Sequence, residues 1–98
     1  MPYIDPGQRP LIDRAVEQVA AAVRQQGADL NARAGLINYA VTRLLLHLLE
    51  DEPRLRYHHL ALVTGVIENV KQEFYRRLAS PYEDRKAADN GDVYPTQG

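Results

Sequence analysis

Apolar residues recur along this chain at intervals of three and four, and no stretch alternates as a half-buried strand would. Between residues 10 and 26 the apolar stripe is Ile12, Val16, Val19 and Val23, with Leu11, Ala15 and Ala20 beside it. That spacing predicts a first helix. Pro10 suits its first turn, where the missing N–H has no helical partner to lose. Gly27 stands where a left-handed residue would close it. Residues 1–9, with Pro2, Pro6 and Gly7, read as an irregular arm.

A second helix is predicted to end near Glu50, capped at its start by Asp29 or Asn31. Ile37, Val41, Leu44 and Leu48 fall on one line, flanked by Leu36, Ala40 and Leu45. Tyr39, Leu46 and Leu49 lie toward the other side, so only Arg43, His47 and Glu50 make a polar edge. A helix apolar almost all round is expected to be buried. Two further helices cover it poorly, so homo-oligomerisation through this helix is the expectation.

Pro53 disfavours helical geometry in the residue before it and ends the second helix. A third helix is predicted over residues 58–79, with Leu60, Val63, Ile67, Val70, Phe74 and Leu78 as its stripe. Gly65, Asn69, Gln72 and Arg76 occupy the far side, and a glycine there invites close approach to the backbone. Ser80-Pro81-Tyr82-Glu83 has the form of a capping box with proline at the first helical position. It predicts a turn at Ser80-Pro81 and a short fourth helix over 81–89, closed near Asn90-Gly91, with 91–98 as a polar tail. The fold expected is all-α: one domain over residues 1–98, a small helical bundle of three main helices plus a short C-terminal helix and tail.

Composition narrows the function. Twelve basic residues against thirteen acidic ones leave a formal charge of −1, without the basic excess that a duplex-binding protein carries. Nucleic acid is therefore not the expected partner. The chain has no cysteine, which excludes disulfides and thiolate metal sites. Residues 1–10 lack the basic and apolar regions of a signal peptide. The most apolar run, 40–49, contains Arg43 and His47 and falls short of the ~20 residues that span a bilayer. No membrane association is expected, and the localisation read from this is cytoplasmic.

Catalytic chemistry finds little support. His58 and His59 are adjacent, so on a helix their side chains diverge. Glu68 and Glu73 also miss a common face, and no Glu-x-x-His pair occurs. Ser80, the only serine, reads as a cap. No glycine-rich phosphate loop precedes a helix. The chain is read as a non-enzyme with neither cofactor nor metal.

Two basic and aromatic clusters remain. Arg54, Arg56, Tyr57, His58 and His59 lead into the start of the third helix, where free N–H groups favour an anion. Tyr75, Arg76, Arg77, Tyr82, Arg85 and Lys86 straddle Ser80-Pro81, with Tyr94 beyond. Guanidinium forks recognise phosphate, and tyrosine faces stack on bases and cations. The competing reading is intramolecular pairing, with Glu73 and Arg77 at the favourable i,i+4 spacing and Glu83 and Asp84 neutralising the rest.

The segments Asn38-Tyr39-Ala40-Val41-Thr42-Arg43-Leu44-Leu45, Glu73-Phe74-Tyr75-Arg76-Arg77, Pro81-Tyr82-Glu83-Asp84 and Asn90-Gly91-Asp92-Val93-Tyr94 resemble a family of small, uncharacterised bacteriophage and bacterial proteins. Gly65 and Glu68 fit the same pattern, and the likeness covers Met1-Pro2-Tyr3-Ile4 and residues 36–94. It implies a phage or prophage setting, in the cytoplasm of a bacterial host. By analogy of size and context, it points to action against host defence.

Two expectations follow. In the first, a homo-oligomer sequesters a nucleotide-derived signal, with Arg76, Arg77, Arg85 and Lys86 on phosphates and Tyr75, Tyr82 or Tyr94 on a base. In the second, the chain is a protein–protein module that inhibits or adapts a host protein. That module would use the Gly65, Asn69, Gln72, Arg76 face and the tail.

Overall fold

The computed structural model describes residues 2–95, which are all-α, with no strand among them. A 3-10 turn at Pro6–Gln8 leads into α1 (Arg9–Gln26), α2 (Leu30–Glu50) and α3 (Tyr57–Phe74). A π-helical turn at Tyr75–Ala79 then joins α3 to α4 (Ser80–Asn90). The contacts gather into two compact units, Pro2–Val63 and the described residues from Thr64 onward.

In the first unit, the arm is held by its own polar groups. The Gln8 N–H donates to the Asp5 carbonyl at 2.9 Å. Arg9 donates from Nε and Nη2 to the Ile4 carbonyl at 3.2 and 3.0 Å. Helix α1 closes at Gly27, whose N–H bonds the Val23 carbonyl at 2.9 Å. The left-handed closure expected here does not occur, because Gly27 has φ −113° and ψ 122°, an extended conformation open to any residue. What needs glycine is space: an added Cβ would lie 2.7 Å from Cγ of Arg33 and 3.2 Å from Cδ1 of Leu36.

Of the two caps expected for α2, Asp29 or Asn31, it is Asp29 that serves, its Oδ1 accepting the Ala32 N–H at 2.9 Å. Arg33 reaches back from the first turn of α2 and donates through Nε to the Gly27 carbonyl at 2.9 Å. Val23 is buried at this connector, and Ala20, Leu36 and Ala40 are half-buried. There the two helices meet.

The expected burial of α2 is not found, since none of its residues is buried. Ile37, Val41, Leu44 and Leu48 are all exposed, as are Tyr39 and Leu46. The protected positions shared with α1, Arg33, Leu36 and Ala40, lie on a different face from that stripe. Periodicity places side chains on a line, but it does not say what covers the line. On the polar edge, His47 and Glu50 pair at 3.0 Å.

Val63 is the other buried apolar residue, with Leu45, Leu49 and His59 half-buried around the 51–56 connector. His59 secures the start of α3: its Nδ1 accepts the Arg56 N–H at 3.0 Å, and its Nε2 lies 3.5 Å from Oε2 of Glu52.

From Thr64 onward the chain runs helically to Asn90, and the turn expected at Ser80-Pro81 is absent. Ser80 has φ −61° and ψ −47° within the helix, so its hydroxyl has no free helix end to cap. The N–H of Ser80 bonds the Tyr75 carbonyl five residues back, which is the π-helical pattern. In a regular α-helix the Pro81 ring would collide with the carbonyl four residues earlier, and its absent N–H would break a bond. The wider π turn accommodates both, so the helix continues where a stop was predicted.

Further along, α4 closes at Gly91, whose φ of 92° is a conformation that suits glycine. Gly65, within α3, has nothing within 4 Å of an added Cβ among the described residues, so the close approach expected there is not seen among them. Met1 and residues 96–98, including the end of the predicted tail, lie outside the described residues.

Candidate functional site

The second sequence cluster is arranged around the π turn. Tyr75 opens that turn and is half exposed, at 51%. Its hydroxyl donates to Oε1 of Glu83, eight residues further along the helical run. This bond and the nearby Glu83 charge raise the phenol above its usual pKa, since ionising it would remove the proton the carboxylate accepts.

Tyr75 borders two shallow grooves. One, of about 480 Å³, is lined by Glu68, Lys71, Gln72, Tyr75, Arg76 and Ser80. Its polar groups are mutually engaged: Gln72 donates to Glu68 at 3.2 Å, and Lys71 lies 4.0 Å from the same oxygen. Arg76 donates to Glu73 at 2.7 Å. The ion pair predicted for Glu73 and Arg77 is thus formed by Glu73 and Arg76 instead.

The second groove, of about 560 Å³, brings together Tyr75, Lys86 and Tyr94 from the predicted set. Glu83, Asp84 and Asp92 line it as well, so carboxylates outnumber its one lysine. Tyr94 is 78% exposed, and its N–H bonds Oδ1 of Asp92 at 2.9 Å. Tyr82 takes no part in either groove. Its ring carries Arg85 at 5.9 Å and Lys86 at 5.7 Å from the centroid, both as cation–π partners. Arg77 and Arg85 line neither groove. The seven residues are therefore close in sequence but spread over separate surfaces.

In the first cluster, His59 and the Arg56 backbone are committed to local structure. Arg56 gives its N–H to His59, one of the donors that an anion at the start of α3 would need. Sequence reasoning missed this cap. Its signal was a side-chain acceptor three residues beyond the N-cap, the position that glutamate holds in a capping box. Among the described residues, no group of three or more His, Asp or Glu side chains could hold a metal ion. No helix among them is long and apolar enough to cross a membrane.

Residues 1–93 match a domain of unknown function (DUF6899), and the chain belongs to that family. No curated protein and no solved structure matches the chain.

Proposed function

We propose that this member of the family is a helical interaction module, whose apolar stripes are covered by a protein partner rather than by a core of its own. One observation carries the reading. Among the described residues only Val23 and Val63 are buried apolar side chains, while the stripes of α1, α2 and α3 are otherwise exposed. Exposed apolar stripes of this kind mark interaction sites. The resemblance to small bacteriophage and bacterial proteins supplies a setting, with a host protein in the bacterial cytoplasm as the outside target.

Light scattering combined with binding of an apolar dye tests the proposal. An assembly, or a monomer that binds the dye strongly, is the expected result. A monodisperse monomer that binds no dye would overturn it.

A second reading is a binder of a nucleotide-like molecule, favoured by Tyr75, Lys86 and Tyr94 lining one groove. The carboxylates of Glu83, Asp84 and Asp92 in that groove repel phosphate, so this reading ranks second. A thermal-shift panel of cyclic and ADP-ribose-type nucleotides tests it, and no shift across the panel would reject it.

A further inference from the structure

Leu30, Ala34, Ile37, Val41, Leu44 and Leu48 follow one another along α2 at alternating intervals of four and three residues. That is the spacing of a coiled-coil seam. All six are exposed, Leu30 at 80% and Leu44 at 69%. At ~1.5 Å per residue, the seam runs roughly 27 Å along the helix. The corresponding α1 stripe offers only Ile12, Val16 and Val19 in exposed positions, Val23 being buried at the connector.

We propose that this seam pairs with the same seam of a second copy, antiparallel, about a two-fold axis at the level of Tyr39. The inference rests on the interaction-module reading and names one of its partners.

Register is the first argument. Reversing α2 about Tyr39 sets Leu30 against Leu48 of the second copy, Ala34 against Leu44, and Ile37 against Val41. Every layer is then apolar, and the one small residue faces a large one, as interdigitating layers require. A two-fold interface repeats each of these contacts.

Charge is the second. The positions bordering the seam include Asn38, Ala40 and Leu45, and no carboxylate is among them. Arg33 is turned to the Gly27 carbonyl and His47 to Glu50. Two identical seams therefore meet without opposed acidic groups.

The test uses the full chain, whose lack of cysteine makes single cysteine substitutions unambiguous. Asn38→Cys lies beside the axis, next to its own equivalent, and should form a disulfide-linked dimer on mild oxidation. Leu48→Cys should not, because antiparallel pairing holds its two copies roughly 27 Å apart along the helix, far beyond disulfide reach. Sedimentation of the unmodified chain should show a dimer. Leu44→Glu should raise its dissociation constant by at least about 100-fold, since a carboxylate would enter an apolar layer.

Cross-linking at residue 48 but not at 38 would overturn the antiparallel pairing. An unmodified monomer that binds apolar dye would overturn self-pairing and leave the interaction-module reading standing. A monomer that binds none would overturn both.

Discussion

The backbone N–H of Arg56 donates to Nδ1 of His59 at 3.0 Å, while the other ring nitrogen of His59 lies 3.5 Å from Glu52. One histidine thus caps α3 and ties it to the connector after α2. Its side chain is only 20% exposed, which sets it apart from an ordinary surface histidine. His59→Ala should cost about 1 kcal/mol, the usual loss for a removed cap. Hydrogen exchange at the first turn of α3 should accelerate accordingly. The neighbouring His58 does not diverge from His59 as expected, its ring lying 4.1 Å from that of His59, but it makes no cap bond, so His58→Ala should cost less than His59→Ala. Equal effects at both positions would remove the capping role.

Two glycines should respond in opposite directions. At Gly27 an added methyl would meet Cγ of Arg33 at 2.7 Å and the Arg33 nitrogen at 3.2 Å. Gly27→Ala should therefore destabilise the α1–α2 connector, by about 1–3 kcal/mol. At Gly65 nothing lies within 4 Å, so Gly65→Ala should stabilise α3 by up to about 1 kcal/mol. Denaturant titration of both variants checks the contrast. A destabilising Gly65→Ala would show that another chain packs against that face.

Tyr75 carries a pH signature. Its pKa is raised above 10.0, chiefly by the hydrogen bond to Glu83. The folded chain therefore holds this proton more tightly than the unfolded chain. The resulting stabilisation is complete below pH 10 and is lost as pH rises through the folded-state pKa. Ultraviolet titration of the phenols should show one of the six tyrosines ionising late. Glu83→Gln should return it to the ordinary range. A late tyrosine that persists in Glu83→Gln would assign the shift elsewhere.

Two residues that look like caps in the sequence should behave differently. Asp29 accepts the Ala32 N–H and begins α2, so Asp29→Ala should cost about 1 kcal/mol. Ser80 sits within a continuing helix and makes no side-chain cap bond, so Ser80→Ala should fall within about 0.5 kcal/mol of the parent. Thermal melts of the two variants at equal protein concentration measure the difference. A comparable loss at Ser80 would restore the turn that its sequence context suggests.

The helices, the Asp29 cap, the end of α2 and the glycine closure at Gly91 were all legible in the sequence. Each depends on residues within a few positions of one another. Ser80-Pro81 was misread because proline after serine gives the same local signal whether a helix starts there or an existing one widens to admit the ring. Only the structure shows the N–H of Ser80 already engaged with Tyr75. The candidate site divided as well: Tyr75 and Lys86 share a groove while Tyr82 and Arg85 do not, since successive residues on one helix such as Arg85 and Lys86 point about 100° apart.

Periodicity placed Ile37, Val41, Leu44 and Leu48 on one line, as it placed the stripes of the other helices. It could not decide their burial. Alignment on a helix follows from backbone geometry within one segment, whereas burial requires a second surface brought against it. In this fold α1 protects a different face of α2, so the line that the sequence drew remains exposed.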